Sequence, residues 1–343
     1  MWGPRRYTVP MRIVVFETMP GEREALLAHL PPGHEIEFLE EKLTHETLEK
    51  ARGAQAISVF VKSEVLADSL AQLPDLKLIT TRSMGFDHID LAAAKERGIK
   101  VNNVQTYASH PVAEFTFALL LAVMRRIYPA YERLRSGTHF DIRGLSGFNL
   151  FGKTMGVVGT GRIGKNVCAI AKGFGMDVLA YDAFPDAQSS ATTGFQYVSL
   201  DELVLRSDVI SIHLPYSKDT HHLMDSSKFA RMKNGVVFIN TARGEIVDTH
   251  ALVAALRDGT VWGAGLDVLE EERALVEEVA AVSTNRPGVD YSLLTANHVL
   301  IDLPNVIVTP HIAFETAEAM QEISRVTAET ISNFIAGKEQ KYL

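Results

Sequence analysis

From Met11 onward, short apolar runs rich in β-branched residues alternate with amphipathic stretches: RIVVFE, then GEREALLAHL, then AQAISVFV, LKLITTRS and IKVNNV. Short runs of that composition suit buried strands and the stretches between them carry helical spacing, so the order is that of parallel α/β units. A longer apolar stretch predicts a helix over roughly 111–126, followed by a glycine-containing connection, RSGTHFDIRGLSGFNLFGK, without periodicity. A second series is sharper: TMGVVGT, KNVCAIAKGFG, DVLAYD, LDELVLRSD, VISIHLP, GVVFINT, THALVAALRDG, WGAGLDV and NVIVTP. Each apolar run ends in polar or glycine residues, where an open parallel sheet presents its ligand-binding loops. The stretch 270–303 has no clear strand and includes an acidic helix-like run, so it reads as an excursion from the series. After Pro310 helical spacing returns and ends at Gly337, which suits a C-cap.

The 343 residues are 46% hydrophobic and 22% charged, enough apolar material for two cores of ordinary size. The net charge of -8, from 42 acids against 34 Lys plus Arg, comes with no basic run that would hold a polyanion, which excludes nucleic acid as an expected partner. The longest apolar stretch, Phe115 to Met124, lies between Glu114 and Arg125. It is about half the length a membrane span requires. The single cysteine, Cys168, falls in a predicted helix and reads as a buried filler, consistent with a reducing, cytoplasmic setting. Residues 1–10 carry two arginines, but Arg12 and Glu17 interrupt any following apolar segment, so no secretory leader is expected and Met11 is a candidate start.

The strongest local motif is Gly159-Thr160-Gly161-Arg162-Ile163-Gly164. It follows the strand MGVV, opens the helix NVCAIAKGF and is answered by Asp182 at the end of DVLAYD. The first glycine permits the tight turn, the second lets backbone approach a pyrophosphate, and the third allows close helix-to-strand packing. Asp182 then accepts from the ribose hydroxyls and would repel a 2′-phosphate, so NAD is expected rather than NADP. A competing match, Gly147 to Thr154 (GFNLFGKT), fits the letters of a P-loop, but it lacks a preceding strand and leads into a strand instead of a helix. No metal is expected: there is no HExxH, and the adjacent His221 and His222 would point apart on a regular element. His213 and His311 both lie at expected strand ends, and periodicity alone does not choose between them. Arg243, after GVVFINTA, suits either a ligand contact or a structural ion pair, and the run Glu270 to Glu272 by itself suits a solvated face.

Taken together, these residues resemble the D-2-hydroxyacid dehydrogenase family from about Met11 to the end. The resemblance rests on RSMGFDHID (82–90), VNNVQTYASHPVAEF (101–115), GKTMGVVGTGRIG (152–164), HLPYSKDTHHLM (213–224), INTARGEIVD (239–248), GAGLDVLEEE (263–272) and VTPHIAF (308–314). It implies that Arg243 binds and polarises a keto acid, His311 donates the proton and Glu272 is the acidic partner of that histidine, with Glu270 in reserve. Thr241 and Asp267 would face the nicotinamide carboxamide, and His213, with Pro215 and Thr220, would lie along the cofactor path. The amides near Met84 and Gly85 resemble the family's carboxylate cradle. Tyr107 and Phe314 would belong to the substrate pocket, where they resemble the D-lactate dehydrogenase branch.

The implied architecture is α/β, with two Rossmann-like doubly wound parallel-sheet domains and a substrate cleft between them. Residues 1–108 and 311–343 would form a discontinuous substrate-binding domain and 109–310 the NAD-binding domain, through which the family suggests a homodimer. His110 and Gln105 depart from the Asn and Pro common at those places in related sequences. The implied reaction is hydride transfer between NADH and a small 2-keto acid to give a D-2-hydroxy acid. Alternatives are a glyoxylate or hydroxypyruvate reductase and, in another class, an NAD(H)-sensing corepressor-like binding protein.

Overall fold

The computed structural model describes residues 10–137, 140–272, 275 and 290–343, and these divide into two compact units, 1–108 with 315–343 and 109–314. The N-terminal residues before Pro10 and most of 273–289, where the acidic run was expected, lie outside the described residues.

In the first unit five strands form one parallel sheet: β1 (Arg12–Val15), β2 (Glu35–Phe38), β3 (Ala56–Val59), β4 (Leu78–Thr81) and β5 (Lys100–Asn103). Their spatial order is β2-β1-β3-β4-β5. Alternate side chains serve opposite faces, as the two-residue period of a strand requires. Ile13 and Val15 pack with Leu78, Ala328 and Ile331 on one side. Val14 joins Phe16, Ile57, Val59 and Ile79 on the other. Burial on both faces is why the inner strands β1, β3 and β4 read as largely apolar runs, whereas the edge strands β2 and β5 are partly exposed. The C-terminal helix Ala317–Ile335 packs on the helix Glu22–Leu27 and on β4.

The second unit carries seven parallel strands: β6 (Thr154–Val158), β7 (Asp177–Tyr181), β8 (Gln196–Tyr197), β9 (Val209–Ile212), β10 (Val236–Asn240), β11 (Val261–Leu266) and β12 (Val306–Val308). The order is β12-β11-β10-β9-β6-β7-β8, so the chain reverses direction across the sheet between β6 and β9, where ligands bind in open α/β sheets. The helices Ser109–Met124 and Arg162–Gly173 cover one face through Phe117, Leu120, Val167 and Cys168. Thr249–Asp258 and Tyr291–Asp302 cover the other through Leu252, Leu256 and Leu300. Cys168 is the expected filler, and burial pushes its thiol up to about 12, far from a reactive thiolate.

Three sequence expectations change. The stretch after Met124 contains a further helix, Ile127–Arg135. Part of the excursion at 270–303 is the helix Tyr291–Asp302, capped by the Asp290 carboxylate. The second unit ends at Phe314 instead of residue 310, because the turn after β12 is bonded to Asp267 in β11's loop: the His311 amide donates to the Asp267 carbonyl, and the Ile312 and Ala313 amides to its carboxylate.

Candidate active site

The glycine motif occupies the β6-to-helix turn. Gly159 has φ +97°, and a Cβ there would lie 2.7 Å from the His213 carbonyl oxygen. A Cβ on Gly164 would lie 1.9 Å from the Gly159 carbonyl oxygen, so the helix Arg162–Gly173 sits on the turn as closely as backbone allows. Gly161, the exposed N-cap, has open space where a Cβ would be. The helix start therefore presents free backbone to an anion, with exposed Arg162 beside it, while Ile163 packs inward. This is the fit expected of a dinucleotide pyrophosphate. By contrast, Gly147 to Thr154 ends in β6 itself, so the P-loop letters have no P-loop structure.

Asp182 follows β7 and accepts from the Thr160 amide (2.6 Å) and hydroxyl (2.9 Å) and from the Phe184 amide (2.9 Å). Burial by itself would raise its pKa, but those bonds and Lys165 hold the carboxyl below the ordinary range, so the group is anionic at neutral pH. A carboxylate offers about four acceptor positions, which leaves room for a ribose hydroxyl.

His213 follows β9. Its Nε2 lies 2.8 Å from the Ser211 hydroxyl, and its buried Nδ1 has no partner among the described residues. Burial lowers its pKa to about 3, so it is neutral and unsuited to the proton-donor role that its strand-end position alone left open. Thr220 turns its hydroxyl onto its own loop, accepting from the Ser217 amide and donating to the Pro215 carbonyl. Thr241 is buried against the Thr116 hydroxyl at 3.0 Å.

Arg243 follows β10 and precedes the 3-10 turn Gly244–Ile246. Asn240 fixes it locally: its amide donates to the Arg243 carbonyl (2.9 Å) and its side-chain oxygen accepts from the Ala242 amide (3.0 Å). Gly244 is required by a close approach, since a Cβ would lie 2.0 Å from the Leu269 carbonyl carbon. The loop bearing Arg243 thus rests directly on the loop after β11. Burial, with the charges of Glu272 and Glu270, pushes the Glu245 carboxyl up against the pull of Arg243, which sets Arg243 in the same electrostatic neighbourhood as those acids.

His311 lies beyond β12 with φ +57°, a left-handed conformation that a non-glycine residue adopts only when its surroundings impose it. Asp267 imposes it: the carboxylate accepts from the Thr309 hydroxyl (2.6 Å) and from the Ile312 and Ala313 amides. Burial raises the Asp267 pKa against those bonds. The His311 Nδ1 is 2.7 Å from Glu272 Oε1, which leaves Nε2 as the outward nitrogen, and the Phe314 ring stands edge-on 6.5 Å away.

Two expectations need correction here. Glu270, the reserve partner for His311, is committed elsewhere: it pairs with His222 Nε2 at 2.6 Å and accepts from the Thr249 hydroxyl at 2.9 Å. His221 and His222 do not point apart; their rings stack at 4.0 Å, because His222 has φ +49° and the two lie in a turn instead of a regular element. Asn240 and Thr309 were not singled out in the sequence, and His222 was weighed only as a metal ligand. The one available signal was a polar residue placed at or just beyond the end of an apolar strand.

In the first unit, the Met84 amide donates to the Tyr107 hydroxyl at 3.3 Å, and the Met84 carbonyl accepts from the Asn103 amide at 2.6 Å. The Gly85 carbonyl accepts from Ser83. Beneath this loop Arg82 is fully buried, paired with Glu22 at 2.7 Å and bonded to the Phe16 and Glu17 carbonyls. Of the two departures, Gln105 donates to Asn103, and His110 lies 3.5 Å from the Asn166 amide on the glycine-motif helix.

Residues 117–313 match the family model described as D-isomer specific 2-hydroxyacid dehydrogenase, NAD binding domain. The chain is 38% identical to a D-lactate dehydrogenase of Escherichia coli (strain K12) over 331 residues, 96% of this chain and 98% of that one. It is 37% identical to a glycerate dehydrogenase of Methylorubrum extorquens over 316 residues, 90% and 91% of the two. The crystal structure of a D-lactate dehydrogenase from Aquifex aeolicus, complexed with NAD and lactic acid, is similar with a TM-score of 0.83 and 36% identity, covering 95% of this chain and 96% of that one.

Proposed function

Because the chain belongs to the D-isomer specific 2-hydroxyacid dehydrogenase family, we propose that it is a D-lactate dehydrogenase-like reductase of small 2-keto acids whose catalytic set is Arg243, Glu272 and His311. The observation that carries this assignment is the 2.7 Å bond between Glu272 and a His311 held at φ +57°, in the unit that carries the glycine motif. The corepressor alternative has no support among the relatives.

NADH, when bound, supplies the hydride. Gly159, Gly161 and Gly164 admit the pyrophosphate, with Arg162 and Ile163 at the same helix start, and Asp182 takes the ribose hydroxyls and disfavours a 2′-phosphate. His213, Pro215, Thr220, Thr241 and Asp267 line the rest of the cofactor site in this proposal. Reduction builds negative charge on the keto oxygen. His311 neutralises it by giving up the proton on Nε2, while Glu272 fixes the ring through Nδ1 and stabilises the imidazolium. Arg243 grips the substrate carboxylate with a planar fork that a lysine does not offer. Met84, Gly85, Tyr107 and Phe314 are assigned to substrate binding in this proposal by the resemblance to the family.

A homodimer through the cofactor domain is part of the proposal. The helix Ile127–Arg135 and the segment after it expose Ile127, Tyr128, Tyr131, Leu134, Ile142 and Phe151 in one stretch of chain, an apolar display that monomers rarely leave uncovered. No helix among the described residues is long and apolar enough to cross a membrane. A cytoplasmic setting is proposed from the single, buried, unpaired Cys168.

Turnover with pyruvate, phenylpyruvate, 2-ketoisocaproate, glyoxylate and hydroxypyruvate tests the substrate. Pyruvate with NADH should give the highest kcat/KM. Preference for glyoxylate or hydroxypyruvate, which the glycerate dehydrogenase relative keeps open, would move the substrate assignment while preserving the chemistry.

A further inference from the structure

The second unit contains another carboxylate-histidine pair, Glu270 with His222, that the proposed reaction does not use. Glu270 is buried, with 8% of its surface exposed, and each of its side-chain oxygens has a partner: Oε1 the His222 Nε2 at 2.6 Å, Oε2 the Thr249 hydroxyl at 2.9 Å. Its carbonyl accepts from the fully buried Asn297 amide at 2.8 Å.

Those partners come from different loops. His222 lies in the loop after β9, Thr249 at the start of the helix that follows the Arg243 turn, and Glu270 in the loop after β11, two residues before Glu272. The His222 amide donates to the Glu245 carbonyl and the Met224 amide to the Ile246 carbonyl, while the Asp248 amide donates back to the Met224 carbonyl. Gly244 seats the Arg243 turn on the Leu269–Glu270 peptide, where a Cβ would lie 2.2 Å from the Glu270 nitrogen. His222 itself is held at φ +49°, a conformation the surrounding bonds must maintain.

We infer that His222 and Glu270 are positioning residues that lock the loop bearing Glu272 to the loop bearing Arg243, so that the two catalytic groups keep their relative placement. Neither touches the reacting atoms; both act through loops that carry groups that do. The physical reason is that catalysis depends on placement at the ångström scale, and loops hold such placement only when buried polar groups fix them. A buried carboxylate with every oxygen bonded is directional in a way that apolar packing is not. This inference rests on the assignment of Arg243 and Glu272 as catalytic.

The test compares deletion with conservative replacement. Glu270→Ala removes both bonds, whereas Glu270→Gln keeps an acceptor for His222 and a polar partner for Thr249. His222→Ala and His222→Gln repeat the comparison from the other side, at a half-exposed position where folding is less at risk. For each, kcat and KM for pyruvate, NADH Kd by fluorescence, and thermal unfolding are measured. The expected result is that both Ala variants lose kcat by about tenfold or more with NADH Kd within about twofold of wild type, and that both Gln variants recover most of it.

Wild-type kcat in His222→Ala and Glu270→Ala would overturn the inference. So would Gln variants as impaired as the Ala variants, because the bonds would then not be what matters. If Glu270→Ala does not fold, the His222 pair of variants decides alone. Arg243→Lys is assayed in the same series: its retention of wild-type turnover would overturn the catalytic assignment itself, independently of the Glu270 and His222 results.

Discussion

Arg243 and Lys differ in shape more than in charge, and the site exploits the shape. Asn240 fixes the backbone on both sides of the arginine, so the guanidinium is delivered from a rigid turn. Arg243→Lys keeps the charge but loses the bidentate fork, and kcat for pyruvate should fall on the order of 100-fold while NADH Kd hardly changes. A near-wild-type kcat in that variant returns the residue to a structural role. Asp182 offers a second residue-level test. Asp182→Ala removes the charge that repels a 2′-phosphate together with the acceptor of the Thr160 amide, so the Kd ratio of NADPH to NADH should narrow as NADH binding weakens. An unchanged ratio would contradict the role of Asp182 in cofactor choice. The identities of Gly159, Gly161, Gly164 and Asp182 were legible in the chain because strand, turn and helix chemistry coincide within one short segment. The bond between His311 and Glu272 was not: the two are 39 residues apart, and only the resemblance to relatives paired them. That Glu270 belongs to His222 was invisible, since three consecutive glutamates carry no local signal of which one faces inward.

At the level of elements, the inner strands were readable because burial on both faces makes parallel strands largely apolar, whereas the edge strands β2 and β8, polar and partly exposed, were not. The helix Ile127–Arg135 escaped notice although Ile127, Tyr131 and Leu134 keep helical spacing: Pro129 falls in its first turn, and none of its residues is buried in its own unit. The second unit runs to Phe314 because Asp267, far upstream in the chain, holds the turn after β12, and nothing in the sequence says so. The packing of the glycine-motif helix provides the element-level prediction. Gly164→Ala places a Cβ within 1.9 Å of the Gly159 carbonyl oxygen, so helix and turn must separate. The cost should be about 1–3 kcal/mol, seen as a lower unfolding temperature, with NADH affinity reduced in parallel. Unaltered stability and affinity in that variant would mean the close contact is not required.

The whole molecule joins a five-stranded and a seven-stranded unit, and one consequence reaches the stability of the second. His213 is kept neutral in the fold, with its pKa lowered to about 3 from an ordinary 6.5. A histidine whose folded pKa is depressed stabilises the fold above the unfolded value, and that stability is lost as the pH falls toward the folded value. Between pH 7 and pH 5 the cofactor-free protein should therefore lose about 2 kcal/mol through this group, and His213→Asn should show a correspondingly shallower decline in urea unfolding. An identical pH slope in the two proteins would show that burial does not control this histidine.

The central claim is that a 2-keto acid receives its proton from His311, and the most direct measurement is kcat for pyruvate reduction by His311→Gln, taken with NADH Kd on the same preparation. The predicted result is a loss of turnover of about 100-fold to 10,000-fold with NADH Kd within about twofold of wild type, because Gln fills the space but does not carry the proton. Turnover at the wild-type rate with NADH bound normally would contradict the claim.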